Sequence, residues 1–237
     1  PTLARKPDTA HPYDEEFDDG TTLDAAWSAY RKDPSNTISL ISTSSDICSH
    51  YNDSTEFRVN VNPTQRPSYL RAQPIQGDVY NVLTRAVTVP DNFLIYMRFN
   101  WTQDHSVANG EGNIFMVLSE AATGDNNDIR IMLNQGVGSY QSVAVFQKRT
   151  GGSGTNIINT DRNSEGSAIE YLAIHKVGTT YYGWAGTESN WVLVGSFTSV
   201  SYNMAHLHIK FKDQLGDPTR VYGVDFIRFL ETDKFPF

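Results

Sequence analysis

The sequence is poor in cysteine, in positive charge and in long apolar runs, and each shortage closes off a class of protein. Its lone Cys48 excludes an internal disulfide framework and a multi-cysteine zinc site. Although His50 is close by, a single cysteine reads as a small buried hydrophobe rather than a nucleophile. Nineteen Lys and Arg stand against 27 Asp and Glu, a net charge of −8. Such a chain lacks the basic face that grips phosphates, so neither nucleic acid nor an anionic membrane surface is an expected partner. No apolar run approaches the roughly 20 residues that span a bilayer. The opening Pro1–Pro12 has no apolar core of the kind a secretory leader carries. Helical periodicity is scarce too: Leu23, Ala26, Trp27 and Tyr30 provide one short N-terminal helix, with Thr22 or Asp24 as its cap.

What remains is a succession of short β-rich runs separated by turn residues. They extend from Thr37–Ser42 to Arg220–Leu230 and include Phe93–Trp101, Asn113–Ser119, Asp128–Asn134, Ser142–Arg149 and Ile169–Val177. Gly178-Thr179 between two such runs predicts a tight hairpin, and Gly151-Gly152-Ser153-Gly154 a loop. No repeat and no composition break follows residue 14. The expectation is an extended arm over 1–13 and a single all-β domain over 14–237, built as a two-sheet antiparallel β-sandwich.

Three motifs carry more than composition. The stretch from Tyr13 to Trp27, with Glu16, Phe17, Asp18, Asp19 and Gly20 followed by Leu23 and Asp24, resembles the opening of concanavalin A-like jelly rolls. That superfamily includes laminarinase-type glucanases and the small sandwich modules appended to xylosidases. The run Tyr222–Phe229 resembles its closing strand, and Ile169–Phe197 its central ladder, with Gly178, Tyr182, Trp184, Trp191 and Gly195 in corresponding places. The resemblance implies that the first and last strands meet, and that Trp184 and Trp191 pack in the core. It also implies a structural Ca²⁺ held by Asp225 of the closing strand with Glu16, Asp18 and Asp19 of the opening. Oxygen-rich sets of this kind suit calcium, which takes six to eight oxygen ligands.

The resemblance does not extend to the catalytic strand. Laminarinase-type glucanases carry E-x-D-x-x-E, because retaining hydrolysis needs two carboxylates about 5 Å apart. No such run occurs here, so the chain reads as no enzyme. His206 and His208 share a strand face, and read as a solvent-facing pair rather than two metal ligands.

Carbohydrate binding is the function that the residue chemistry favours, since sugar faces stack on aromatics while Asp, Asn, Glu and His hydrogen-bond hydroxyls. The candidates are Trp101, Asp104 and His105, then Tyr181, then Glu188 and Asn190. The acidic opening and Pro-containing arm resemble modules of bacteriophage tail and fibre proteins. That likeness implies a virion structural or adhesion protein, oligomeric in its assembly, whose arm docks on neighbouring subunits and whose loops face a host glycan. The alternatives are a secreted carbohydrate-binding accessory module and a glycoside hydrolase with atypically placed carboxylates.

Overall fold

Alternation along Phe93–Phe99 shows how the sequence builds the fold. Phe93, Ile95, Met97 and Phe99 enter one buried cluster, while Leu94 and Tyr96 enter a second on the other side of the same strand. Side chains on a strand alternate between faces, so this strand is covered on both.

The computed structural model describes residues 11–15, 25–32, 38–40, 48–51, 69–72, 80–101, 112–122, 126–135, 142–159, 169–187, 189–213 and 222–237. Its strands are β1 (Ser28–Lys32), β2 (Ile38–Leu40), β3 (Cys48–Tyr51), β4 (Tyr69–Ala72), β5 (Tyr80–Ala86), β6 (Asn92–Trp101), β7 (Gly112–Ser119) and β8 (Asp128–Gln135). They continue with β9 (Ser142–Thr150), β10 (Ser153–Asn159), β11 (Tyr171–Val177), β12 (Thr180–Thr187), β13 (Asn190–Phe197), β14 (His206–Asp213) and β15 (Tyr222–Leu230). Eight form one sheet in the order β10-β9-β8-β7-β14-β5-β1-β2; seven form the other as β13-β12-β11-β6-β15-β4-β3. Every pairing between named strands is antiparallel. The two-sheet sandwich expected from the sequence is the fold observed.

Between the sheets lies the main core. Ile114, Met116 and Leu118 of β7, Ile129, Ile131 and Leu133 of β8, and Leu207, Ile209 and Phe211 of β14 meet the inward residues of β6, β11 and β15 there. Gly183 of β12 is required by this packing: a Cβ at that position would lie 2.4 Å from the Phe146 ring. The β9–β10 hairpin turns through Gly151 and Gly152, both with positive φ, the geometry of a two-residue turn that suits the sheet twist. Gly178, also at positive φ, turns β11 into β12 as expected.

The chain's two ends meet. Glu15 bridges Ile227 of β15 through reciprocal backbone bonds of 3.0 and 2.8 Å, and Asp14 Oδ1 accepts from the Phe229 amide at 2.8 Å. His11 stacks on Phe229, so the docked part of the chain begins within the stretch expected as an arm. Trp27 donates its indole N–H to Glu15 Oε2 at 2.9 Å. These bonds explain why a carboxylate and a tryptophan open the domain.

One secondary-structure expectation fails. Over the described part of the expected helix, Ala25 and Ala26 form a turn and Ser28–Lys32 is a strand paired with both β2 and β5. Two turns of helix bury little, whereas a sheet position gives the segment two hydrogen-bonded neighbours.

Candidate functional site

Among the described residues, the outer face of the eight-stranded sheet gathers a dense set of buried polar groups. The sheet's outer positions in β5, β14, β7, β8 and β9 fall into rows across the strands. Register aligns Thr84, His208, Val117, Arg130 and Gln147 in one row. The next row holds Val82, Lys210, Phe115, Met132 and Val145. A polar row thus runs beside an apolar one, and nearly all of these side chains are buried.

Several of the polar groups are tied together. Arg130 grips Asp128 through two hydrogen bonds, 2.7 Å from Nε to Oδ1 and 2.5 Å from the terminal nitrogen to Oδ2. This two-point contact orients both groups as well as pairing their charges. Ser119 Oγ lies 2.6 Å from His208 Nε2 and donates its one proton to the Ala121 carbonyl, also at 2.6 Å. His208 Nε2–H must then be the donor to Ser119. That arrangement is the reverse of a nucleophile activated by a base. Thr84 Oγ1 and Asn113 Oδ1, on the same face, are buried without a hydrogen-bond partner.

The expected solvent-facing pair of histidines is half right. His206 and His208 share the face, their rings 6.2 Å apart, but His208 is 0% exposed. Its hydrogen bond to Ser119 makes burial tolerable.

The candidate sugar-binding residues divide by position. Trp101 ends β6 opposite Tyr222, and Asn190 opens β13 opposite Thr187. Antiparallel pairing through β11 and β12 brings these two to the same end of the seven-stranded sheet. There Arg98 and Glu170 approach to 3.9 Å, and the Arg98 guanidinium lies over Tyr171 at 5.8 Å. Asn190 is exposed. Tyr181 does not join them: it lies at the far end of β12, 1% exposed in the main core. Its phenol is pushed upward by burial, and it packs edge-on against Phe93. A ring enclosed in this way cannot stack on a sugar, so Tyr181 is removed from the site. Asp104, His105 and Glu188 lie outside the described residues.

At the seam, Asp225 is the extra residue of a β-bulge: Val224 pairs with Phe99 and Phe226 with Arg98. Bulges re-aim a side chain out of the regular alternation. Glu16, Asp18 and Asp19 lie outside the described residues. Among the described residues no group of three His, Cys, Asp or Glu gathers to hold a metal. Arg228 is a cation at the seam, and its guanidinium donates to the Ile227 carbonyl at 3.2 Å. Burial pushes its pKa down while Asp14 and Glu15 push it back up.

Trp184 and Trp191, assigned to the core, are partly buried on the outer face of the seven-stranded sheet instead, against Leu94, Tyr96, Tyr171 and Phe226. Only the inward positions of β12 reach the inter-sheet core. A glycine in a family pattern marks such phase, but Val194 forms a bulge opposite Gly183 and Trp184.

This architecture recurs among solved structures. The chain matches a xylan β-1,4-xylosidase from Bacillus halodurans C-125 with TM-score 0.59 at 14% identity, covering 98% of this chain and 41% of that one. It matches a legume lectin-like domain from Entamoeba histolytica with TM-score 0.52 at 13% identity, covering 70% and 85%. A structure described as one of the endo-acting O-glycanases of the human gut microbiota matches with TM-score 0.57 at 12% identity, covering 94% and 99%. The chain spans about two fifths of the xylosidase. No protein-family model and no characterised protein matches the sequence itself. The fold is therefore that of the concanavalin A-like, lectin-like sandwiches, and at these identities the likeness reaches the fold alone.

Proposed function

We propose that the chain is a non-catalytic glycan-binding sandwich, and that its site is the outer face of the eight-stranded sheet. One observation carries this reading. A polar row runs beside an apolar row, and two polar atoms of this face lack partners: Thr84 Oγ1 in the polar row and Asn113 Oδ1 on the far side of the apolar one. Buried polar atoms are normally satisfied, and a pyranose offers both hydroxyls and apolar C–H faces. The non-catalytic part is supported by the one described carboxylate on this face, Asp128, being held by Arg130. Glycoside hydrolysis needs two carboxyl groups, about 5 Å apart for retention or about 6.5–9.5 Å for inversion. The likeness to an O-glycanase structure keeps hydrolysis as the competing reading.

A glycan array followed by chromatography of the bound oligosaccharide tests both. Binding with unchanged oligosaccharide length is expected; shortening of the bound chain overturns the non-catalytic reading. Trp101→Ala is expected to weaken binding if the end of the seven-stranded sheet takes part.

The acidic opening and Pro-containing arm support placing this module on a virion, with other subunits of the particle as partners; a secreted accessory module is the alternative. Sedimentation of purified particles with antibody to the chain decides between them. Calcium at the seam belongs to the same reading: the family resemblance implies Asp225, Glu16, Asp18 and Asp19 as its ligands, and oxygen donors suit it. A metal bound only by the folded state raises the melting temperature, so chelator is expected to lower it, and no change would remove the ion.

A further inference from the structure

The seven-stranded sheet's outer face lies on the opposite side of the sandwich from the face just described. It carries Tyr96, Tyr171, Trp184 and Trp191 around Phe226, and the chain itself covers it. Beyond β15, Thr232 Oγ1 accepts from the Lys234 amide and donates to the Lys234 carbonyl, both at 3.1 Å. This local bend delivers Phe235 and Phe237 onto the two indoles. Phe235 lies flat on Trp184, ring centroids 4.0 Å apart with planes at 12°. Phe237 lies nearly parallel to Trp191 at 5.4 Å and 14°. Pro236 between them fixes φ and brings no backbone N–H to the face.

The cover fits the ring faces and fails the ring edges. Nε1 of Trp184, Nε1 of Trp191 and Nε2 of His175 are buried there with no hydrogen-bond partner, and His175 is only 4% exposed. Phenyl rings stack on an indole but give its N–H no oxygen to bond. A buried donor without an acceptor is a standing penalty that a better partner removes. The partner that answers faces and edges together has flat apolar sides and a rim of oxygens. An all-equatorial pyranose, such as a β-linked xylose or glucose unit, has that form.

We propose that this face is a second glycan-stacking site, specific for β-1,4-linked xylose or glucose chains, and that Thr232–Phe237 fills it as a competing internal ligand. The site is distinct from the outer face of the eight-stranded sheet. Its apparent affinity is the intrinsic affinity multiplied by the fraction of molecules in which the segment has lifted. Ring stacking selects the flat faces, the two indole N–H groups take hydroxyl oxygens, His175 Nε2 exchanges a hydrogen bond with a hydroxyl, and the segment sets the threshold for entry.

The test is a titration of the full chain with cellohexaose and with xylohexaose, followed by calorimetry and tryptophan fluorescence. Phe235→Ser combined with Phe237→Ser is expected to bind one of the two at least tenfold more tightly than the unsubstituted chain. Adding Trp184→Phe, which keeps a ring and removes the N–H, is expected to weaken that binding about two- to tenfold. The free hexapeptide of residues 232–237 is expected to compete. Phe235→Ala with Phe237→Ala repeats the experiment with the stacking rings removed and no polar group added, in case the serine pair unfolds the chain. Absence of a gain for either hexasaccharide in the folded variants overturns the proposal. A gain that the peptide does not reverse, or that Trp184→Phe leaves unchanged, overturns it as well. Thr84→Val on the eight-stranded sheet is expected to leave this binding unchanged, so the two sites fail separately.

Discussion

Ser119 has one hydroxyl proton, and its direction decides what the contact with His208 means. Because the proton goes to the Ala121 carbonyl, the pair is a structural tie across β7 and β14. Ser119→Ala is therefore expected to destabilise the fold by about 1–3 kcal/mol, by leaving His208 and a carbonyl with one partner fewer; chemical denaturation measures it. His175 gives a pH dependence. Burial pushes its imidazole below the usual range, with the Thr232 backbone and the Asp233 carboxylate opposing. Between that lowered value and about 6.5, the unfolded chain binds a proton that the folded chain refuses. Stability from this group is full above about pH 6.5 and is lost as pH falls through the window. His175→Gln is expected to flatten the acid limb of a melting-temperature curve; an unchanged limb contradicts the assignment. At this scale the sequence was a partial guide. Residue type alone makes Tyr181 a sugar-stacking candidate, but alternation along β12 places its ring in the core with Ala185.

Strands with strong alternation were legible, and those lacking it were not. β6, β7, β8 and β14 carry apolar residues at every second position, so their bounds match the sequence runs closely. β10 was hidden because Ser153-Gly154-Thr155-Asn156 looks like loop chemistry; it is an edge strand whose residues 153–156 are exposed apart from their pairing with β9. Leu23, Ala26, Trp27 and Tyr30 fall at helical spacing, but only Tyr30 of the four lies in β1, where pairing with β2 and β5 fixes a strand. The eight-stranded face was illegible for a related reason: its rows form across strands, and no run of sequence contains one. Element packing also makes a prediction at Gly183. Gly183→Ala is expected to destabilise by about 1–3 kcal/mol through overpacking against Phe146. Phe146→Leu should recover part of that loss in a double-mutant cycle, and additivity would show that the two do not touch.

For the whole molecule, the sequence's two end motifs located the closure of the sandwich correctly, since Asp14 and Glu15 do meet β15. At this seam Arg228 lies beside two acids, Asp14 and Glu15. Arg228→Met is expected to destabilise by about 1–3 kcal/mol, since the Ile227 and Glu15 carbonyls lose a donor. Part of the loss should be recovered in salt, which screens the repulsion left between Asp14 and Glu15. Glycan binding by the eight-stranded face is tested most directly by Thr84→Val. Removing a hydroxyl that has no partner in the free protein should leave the melting temperature unchanged or raise it. Calorimetric titration of the variant with the glycan identified on the array should nevertheless show binding weakened about two- to tenfold. A variant that binds the glycan as tightly as the unsubstituted chain would contradict the account.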